Sequence, residues 1–180
     1  MNTPATRSEL TRMVKTRPLP GAPLVIEASA AERAALAARF GLGEIAVLRA
    51  EVALEAKPSA IRATGRLNAR VMQPCAVSGE PFPVTIDEPI DLRFIEQRGS
   101  AASGEGEEIE IELEADDCDE IEFSGDMFDL GEAVAQTLGL AIDPYAEGPG
   151  ADAARKAAGI VAEGEQDGPL AAMLSTLKKG

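Results

Sequence analysis

Histidine and tryptophan are missing altogether, tyrosine occurs once, at Tyr145, and cysteine twice, at Cys75 and Cys118. Without imidazole there is no Ser-His-Asp or Cys-His arrangement, no His-ligated zinc and no histidine general base. Any acid–base chemistry would fall to carboxylates, lysine or the one phenol. Neither cysteine has a second Cys close by in sequence, so no metal site is recognisable and no cofactor is expected; both read as free thiols, with a disulfide between them as the alternative. The beginning of the chain carries Arg7, Glu9 and Arg12 rather than an apolar run, and no stretch approaches membrane-spanning length. The expected compartment is the cytoplasm, with no membrane contact. Because aromatic residues make up only 3% of the 180 residues, the core must be built from Ala, Val, Leu and Ile. A chain of this length supports one core of ordinary size.

Basic residues are absent from Gly99 to Ala154, where seventeen Asp and Glu occur. The first 98 residues hold thirteen basic and eleven acidic side chains, so the formal charge of −14 is concentrated in less than a third of the chain. Such a segment attracts cationic partners and repels nucleic acid phosphates.

Periodicity outlines an α+β domain. Ser29 followed by Glu32 forms a capping box, with Leu36 and Phe40 one turn apart and Gly41 as the stop, which predicts a short helix. Ala46, Leu48, Ala50, Val52, Leu54 and Ala56 then alternate with polar residues. After Lys57-Pro58, Ile61, Ala63, Gly65, Leu67, Ala69 and Val71 alternate with Arg62, Thr64, Arg66, Asn68 and Arg70. This is a long hairpin, and a register opposing Glu55 to Arg62 and Glu51 to Arg66 puts both apolar sets on one face. A third strand runs from Phe82 to Phe94, with Pro89 marking a bulge or an edge position. Ile109, Ile111 and Leu113 alternate with glutamates, as do Ile121 and Phe123, which predicts two acidic strands. Asp129 caps a second helix with Glu132 reaching back, and Pro144 ends it. The expected architecture is a predominantly antiparallel sheet, open or barrel-like, covered by two short helices. A single domain over 1–145 precedes a mobile Gly/Ala/acid-rich linker over 146–168 and a short terminal helix over 169–180, with Leu170, Met173, Leu174 and Leu177 at helical spacing.

Three segments together resemble the YceD-like family of large ribosomal RNA subunit accumulation proteins, the DUF177 domain, in its alphaproteobacterial form. They are Cys75-Ala-Val-Ser-Gly-Glu-Pro-Phe82, Asp126-Met-Phe-Asp-Leu-Gly-Glu132 continuing to Leu140-Ala-Ile-Asp-Pro-Tyr145, and Pro169-Leu-Ala-Ala-Met-Leu-Ser-Thr-Leu-Lys178. The likeness covers roughly residues 45 to 145 and the tail. It implies a non-catalytic cytoplasmic ribosome biogenesis factor needed for 23S ribosomal RNA to accumulate. Many relatives carry Cys-x-x-Cys where this chain has Cys75-Ala-Val-Ser78, so no metal or redox role transfers from that pair.

Two sets of residues are candidates for partner binding. Arg62, Arg66 and Arg70 share one strand face and suit phosphate, although no aromatic residue interleaves with them to stack bases, and pairing with Glu51 and Glu55 is the competing role. Glu108, Glu110 and Glu112 offer an acidic ladder for a basic protein or for the arginine face of the same chain, and the spacing of Asp117, Asp119 and Glu122 does not meet that of a calcium loop. No catalytic residue is assigned, because outward-facing glutamates lack the cleft that separates carboxylate pKa values. The expected function is binding of ribosomal RNA or ribosomal proteins, not DNA. The alternative is an acidic chaperone-like adaptor for a basic ribosomal protein that makes no RNA contact. Oligomeric state is not legible.

Overall fold

The computed structural model describes residues 8–97 and 119–160. Among these, seven strands and three helices follow in the order β1 (Met13–Lys15), β2 (Leu24–Glu27), α1 (Ala30–Phe40), β3 (Glu44–Ala56), β4 (Ala60–Pro74), β5 (Pro81–Glu96), β6 (Asp119–Phe123), β7 (Met127–Asp129), α2 (Leu130–Ala141) and α3 (Ala151–Ala157). The fold is α+β. Strands β2-β3-β4-β5-β6 lie side by side in an open sheet, and β1 pairs with β7 in a second, two-stranded one. No strand pair closes a barrel among the described residues.

The chain divides into two compact units. The larger comprises residues 1–73 and 83–143 and contains the main hydrophobic core. Its hairpin has the register read from the alternation, with Glu51 opposite Arg66 and Glu55 opposite Arg62. One departure lies at its start, where an irregularity between Ile45 and Val47 shifts the phase of β3. Ile45 and Leu48 are therefore both buried, and Ala46, expected inside, is exposed. Arg33 of α1 serves the same place, donating from Nε to the Ile45 carbonyl at 3.0 Å and from Nη1 to the Ala28 carbonyl at 2.6 Å.

Strand β5 turns Ile86, Ile90, Leu92 and Phe94 to the core and leaves Asp87 and Asp91 outside. Among the described residues its far side is paired only from Leu92 to Glu96, so Pro89 sits where β6 makes no demand on a backbone donor. The acidic strand expected around Ile121 is β6, and it runs parallel to β5, pairing Leu92 with Asp119 through Glu96 with Phe123. The acidic strand expected around Ile111 lies outside the described residues, as does the terminal helix.

Helix α1 has the full capping box, with Glu32 N donating to Ser29 Oγ and Ser29 N to Glu32 Oε2, and Gly41 ends it at φ 66°. Helix α2 is capped by Asp129, whose Oδ1 accepts from Gly131 N and Glu132 N. Glu132 does not reach back as expected. Its carboxylate is held instead by Ser8, Arg39 and Gln136. At the other end of α2, Gln73 Nε2 donates to the carbonyl of Asp143.

The smaller unit comprises residues 74–82 and 144–180. Cys75 N donates to the Glu80 carbonyl at 2.9 Å, Gly79 N to the Cys75 carbonyl at 2.9 Å and Ala76 N to the Ala146 carbonyl at 3.0 Å. Helix α3 falls within the segment read as a linker. Seven residues suffice because Ala151 is buried and Arg155 ion-pairs with both Asp152 and Glu147.

Candidate partner-binding site

Strict alternation along β4 sends Arg62, Arg66 and Arg70 to the outer face of the open sheet while Ile61, Ala63, Leu67, Ala69 and Val71 enter the core. The register puts Glu51 and Glu55 beside two of these arginines, but the guanidinium groups turn the other way. Arg62 meets Asp91 through Nε at 2.9 Å and Nη2 at 2.6 Å. Arg66 meets Asp87 through Nε at 2.5 Å and Nη2 at 3.1 Å, and Asn68 adds a third donor to Asp87 at 2.9 Å. Both contacts are forked pairs, the geometry in which guanidinium and carboxylate match best. The Asp87 carboxyl is accordingly held below its ordinary range by Arg66. Because 62 pairs with 91 and 66 with 87, the contacts also record the antiparallel relation of β4 and β5.

The pairing expected with Glu51 and Glu55 is therefore replaced. Glu55 bonds Lys57 Nζ at 2.7 Å, which lowers its pKa, and Glu51 lies 3.7 Å from Arg49, itself 3.3 Å from Glu27. Farther across the sheet Arg93 meets Glu120 at 3.1 Å. Four arginines of the outer face, Arg49, Arg62, Arg66 and Arg93, thus meet carboxylates. Arg70 stands apart, with no carboxylate partner among the described residues. Glu108, Glu110 and Glu112 lie outside the described residues.

The Asp-Leu-Gly-Glu segment organises a different place. Asp129 Oδ1 accepts from Arg12 N at 2.8 Å, and Leu130 N donates to the Arg12 carbonyl at 3.0 Å. A Cβ on Gly131 would stand 2.4 Å from the Leu10 carbonyl oxygen and 2.6 Å from Arg12 N, so only glycine lets the N-terminal strand pass. Glu132 accepts from Ser8 Oγ at 2.6 Å and from Arg39 Nη2 at 2.9 Å, and Arg39 also reaches Glu9. Each of the four residues holds residues 8–12 against the helix start, a structural role.

In the smaller unit Cys75 is buried, and its thiol pKa is lowered to about 7 by the Ser78 hydroxyl, with help from the amides of Ser78, Gly148 and Val77. The leading part of this setting, Ser78, lies within the segment Cys75-Ala-Val-Ser78, whereas the Gly148 amide is far away in the chain and carries no signal near Cys75. Among the described residues no group of three or more metal-ligating side chains occurs, and no helix is long and apolar enough to cross a membrane.

No curated protein and no solved structure matches the chain. A family model does, over residues 63–171, which takes in Arg66 and Arg70 of β4, the Cys75 turn and the Asp-Leu-Gly-Glu start of α2. That span is more than half of the 180 residues, so the chain belongs to the family described as large ribosomal RNA subunit accumulation protein YceD.

Proposed function

We propose that the protein supports accumulation of large-subunit ribosomal RNA as a non-catalytic binding factor, and that what it holds directly is a cationic ribosomal protein. The observation that carries this is the forked engagement of Arg62 by Asp91 and of Arg66 by Asp87. A phosphate binding there would have to displace a carboxylate already in the favourable geometry, and would do so on a chain of charge −14. A basic protein meets the opposite situation, since the charge excess draws it in and accelerates its encounter. Direct RNA contact retains one specific support, Arg70 at the end of the column, which has no carboxylate partner among the described residues.

The test is capture of partners by the tagged full-length protein, with and without nuclease. Cationic ribosomal proteins should remain after nuclease, and replacing Arg62, Arg66 and Arg70 by Glu should leave them in place. Neutralising Glu108, Glu110 and Glu112 to Gln should release part of them. Loss of every partner on nuclease treatment, together with loss on the arginine reversal, would transfer the role to RNA contact.

A further inference from the structure

We infer that a cleft at one end of the main sheet receives an arginine or lysine side chain of that cationic protein partner, an inference that rests on the proposed function and gives it an address. The cleft has a volume of about 540 Å³, within the range of roughly 300–1,000 Å³ found for binding pockets. Its walls come from three places: the β3–β4 turn with Lys57 and Ser59, the segment after β1 with Arg17, and the β6–β7 turn with Asp126. Its apolar lining is Ile61, Phe94 and Phe123.

The chemistry follows from which charges are already spent. Lys57 is neutralised by Glu55 at 2.7 Å. Glu96 and Asp126 both line the cleft, both are exposed, and neither has an ion-pair partner among the described residues. Arg17 is likewise unpaired there, so two carboxylates face one free cation and the balance favours a second cation from outside. Glu96 lies directly opposite Phe123 in the parallel ladder and shares a strand face with Phe94. Phe94 itself is buried in the core and half-buried Phe123 is the accessible ring; an acid beside it suits a side chain with an apolar stem and a cationic head, which packs its methylenes on that ring while the head meets the carboxylate. A phosphate or a nucleobase would gain Arg17 but would have to approach both free carboxylates. Asp126 is held in place through its own backbone, whose carbonyl accepts from Thr16 N at 2.9 Å and from Thr16 Oγ1 at 3.2 Å.

The experiment uses the purified full chain and two fluorescent probes of equal length, an arginine-rich peptide and a single-stranded RNA, followed by anisotropy. The chain should bind the peptide and not the RNA. Glu96→Gln with Asp126→Asn should weaken the peptide about tenfold, the scale of a central contact. Ser59→Trp, which obstructs the cleft without changing charge, should do the same, and Glu120→Gln with Glu122→Gln on the outer face should have much less effect. Unchanged thermal melting of each variant confirms that folding is intact. If the peptide binds all variants equally, the cleft inference is overturned while the proposed function stands. If the chain binds RNA and not the peptide, the proposed function itself fails, and the cleft with it.

Discussion

Gly131 is the position where a single carbon atom has the largest consequence. Its missing Cβ lets the backbone of Leu10 to Arg12 lie against α2, where Asp129 and Leu130 complete the contact. Gly131→Ala should cost about 2 kcal/mol or more, because overpacking must push the segment aside. Denaturant unfolding of the variant checks this, and an unchanged midpoint would contradict the close approach. Asp129→Ala removes an acceptor for three amide donors and should cost about 1–2 kcal/mol by the same measurement. The sequence made the capping role of Asp129 legible, since a short acid before an apolar helix face is a local signal. It did not reveal what Gly131 and Glu132 are for. Gly131 meets Leu10 to Arg12, and Glu132 meets Ser8, 124 residues away, and Arg39, 93 residues away; a pattern read along the chain carries no information about such contacts.

Among the elements, the long hairpin strands were legible from their alternation, apart from the irregularity at the start of β3 that puts Ala46 outside. The register of β3 and β4 follows from burying both apolar sets on one face, and a slip by one position would expose them all. What escaped was short or non-local. Strands β1 and β7 have three residues each, too few for any period, and the parallel direction of β6 depends on how the chain returns after residue 97. The partners of Arg62 and Arg66 escaped for a related reason, because β4 has neighbours on both sides and the hairpin suggested only one of them. Helix α1 carries a pH-dependent prediction. Glu32, paired with Arg12 at 2.7 Å and bonded to Ser29, has its pKa lowered to about 2. A depressed carboxyl contributes stability that is present above its ordinary value near 4.5 and lost as the pH falls toward 2. Solvent at the Arg12–Glu32 pair reduces the contribution to about 1 kcal/mol or less. Glu32→Gln should therefore show a smaller loss of stability between pH 4.5 and pH 2 than the unmodified protein in acid-unfolding curves. Identical acid curves would remove the pair from the account.

At the scale of the whole molecule the charge is sorted in two ways. On the outer sheet face Arg49, Arg62, Arg66 and Arg93 are each paired with a carboxylate, while the chain as a whole carries an excess of −14. Association with a cationic partner should accordingly weaken steeply with salt and slow mainly in its on-rate, since long-range attraction is screened within about 8 Å at physiological ionic strength. Stopped-flow mixing at 50 mM and 300 mM salt checks this, and a salt-independent on-rate would contradict electrostatic capture. The central claim is that a protein partner, not RNA, is held directly. Its most direct test is equilibrium binding of the purified chain to protein-free 23S ribosomal RNA and, separately, to the extracted large-subunit ribosomal proteins. The account predicts saturable binding to one or more cationic proteins and none to the bare RNA. Tight binding to the bare RNA, with no affinity for the proteins, would contradict it.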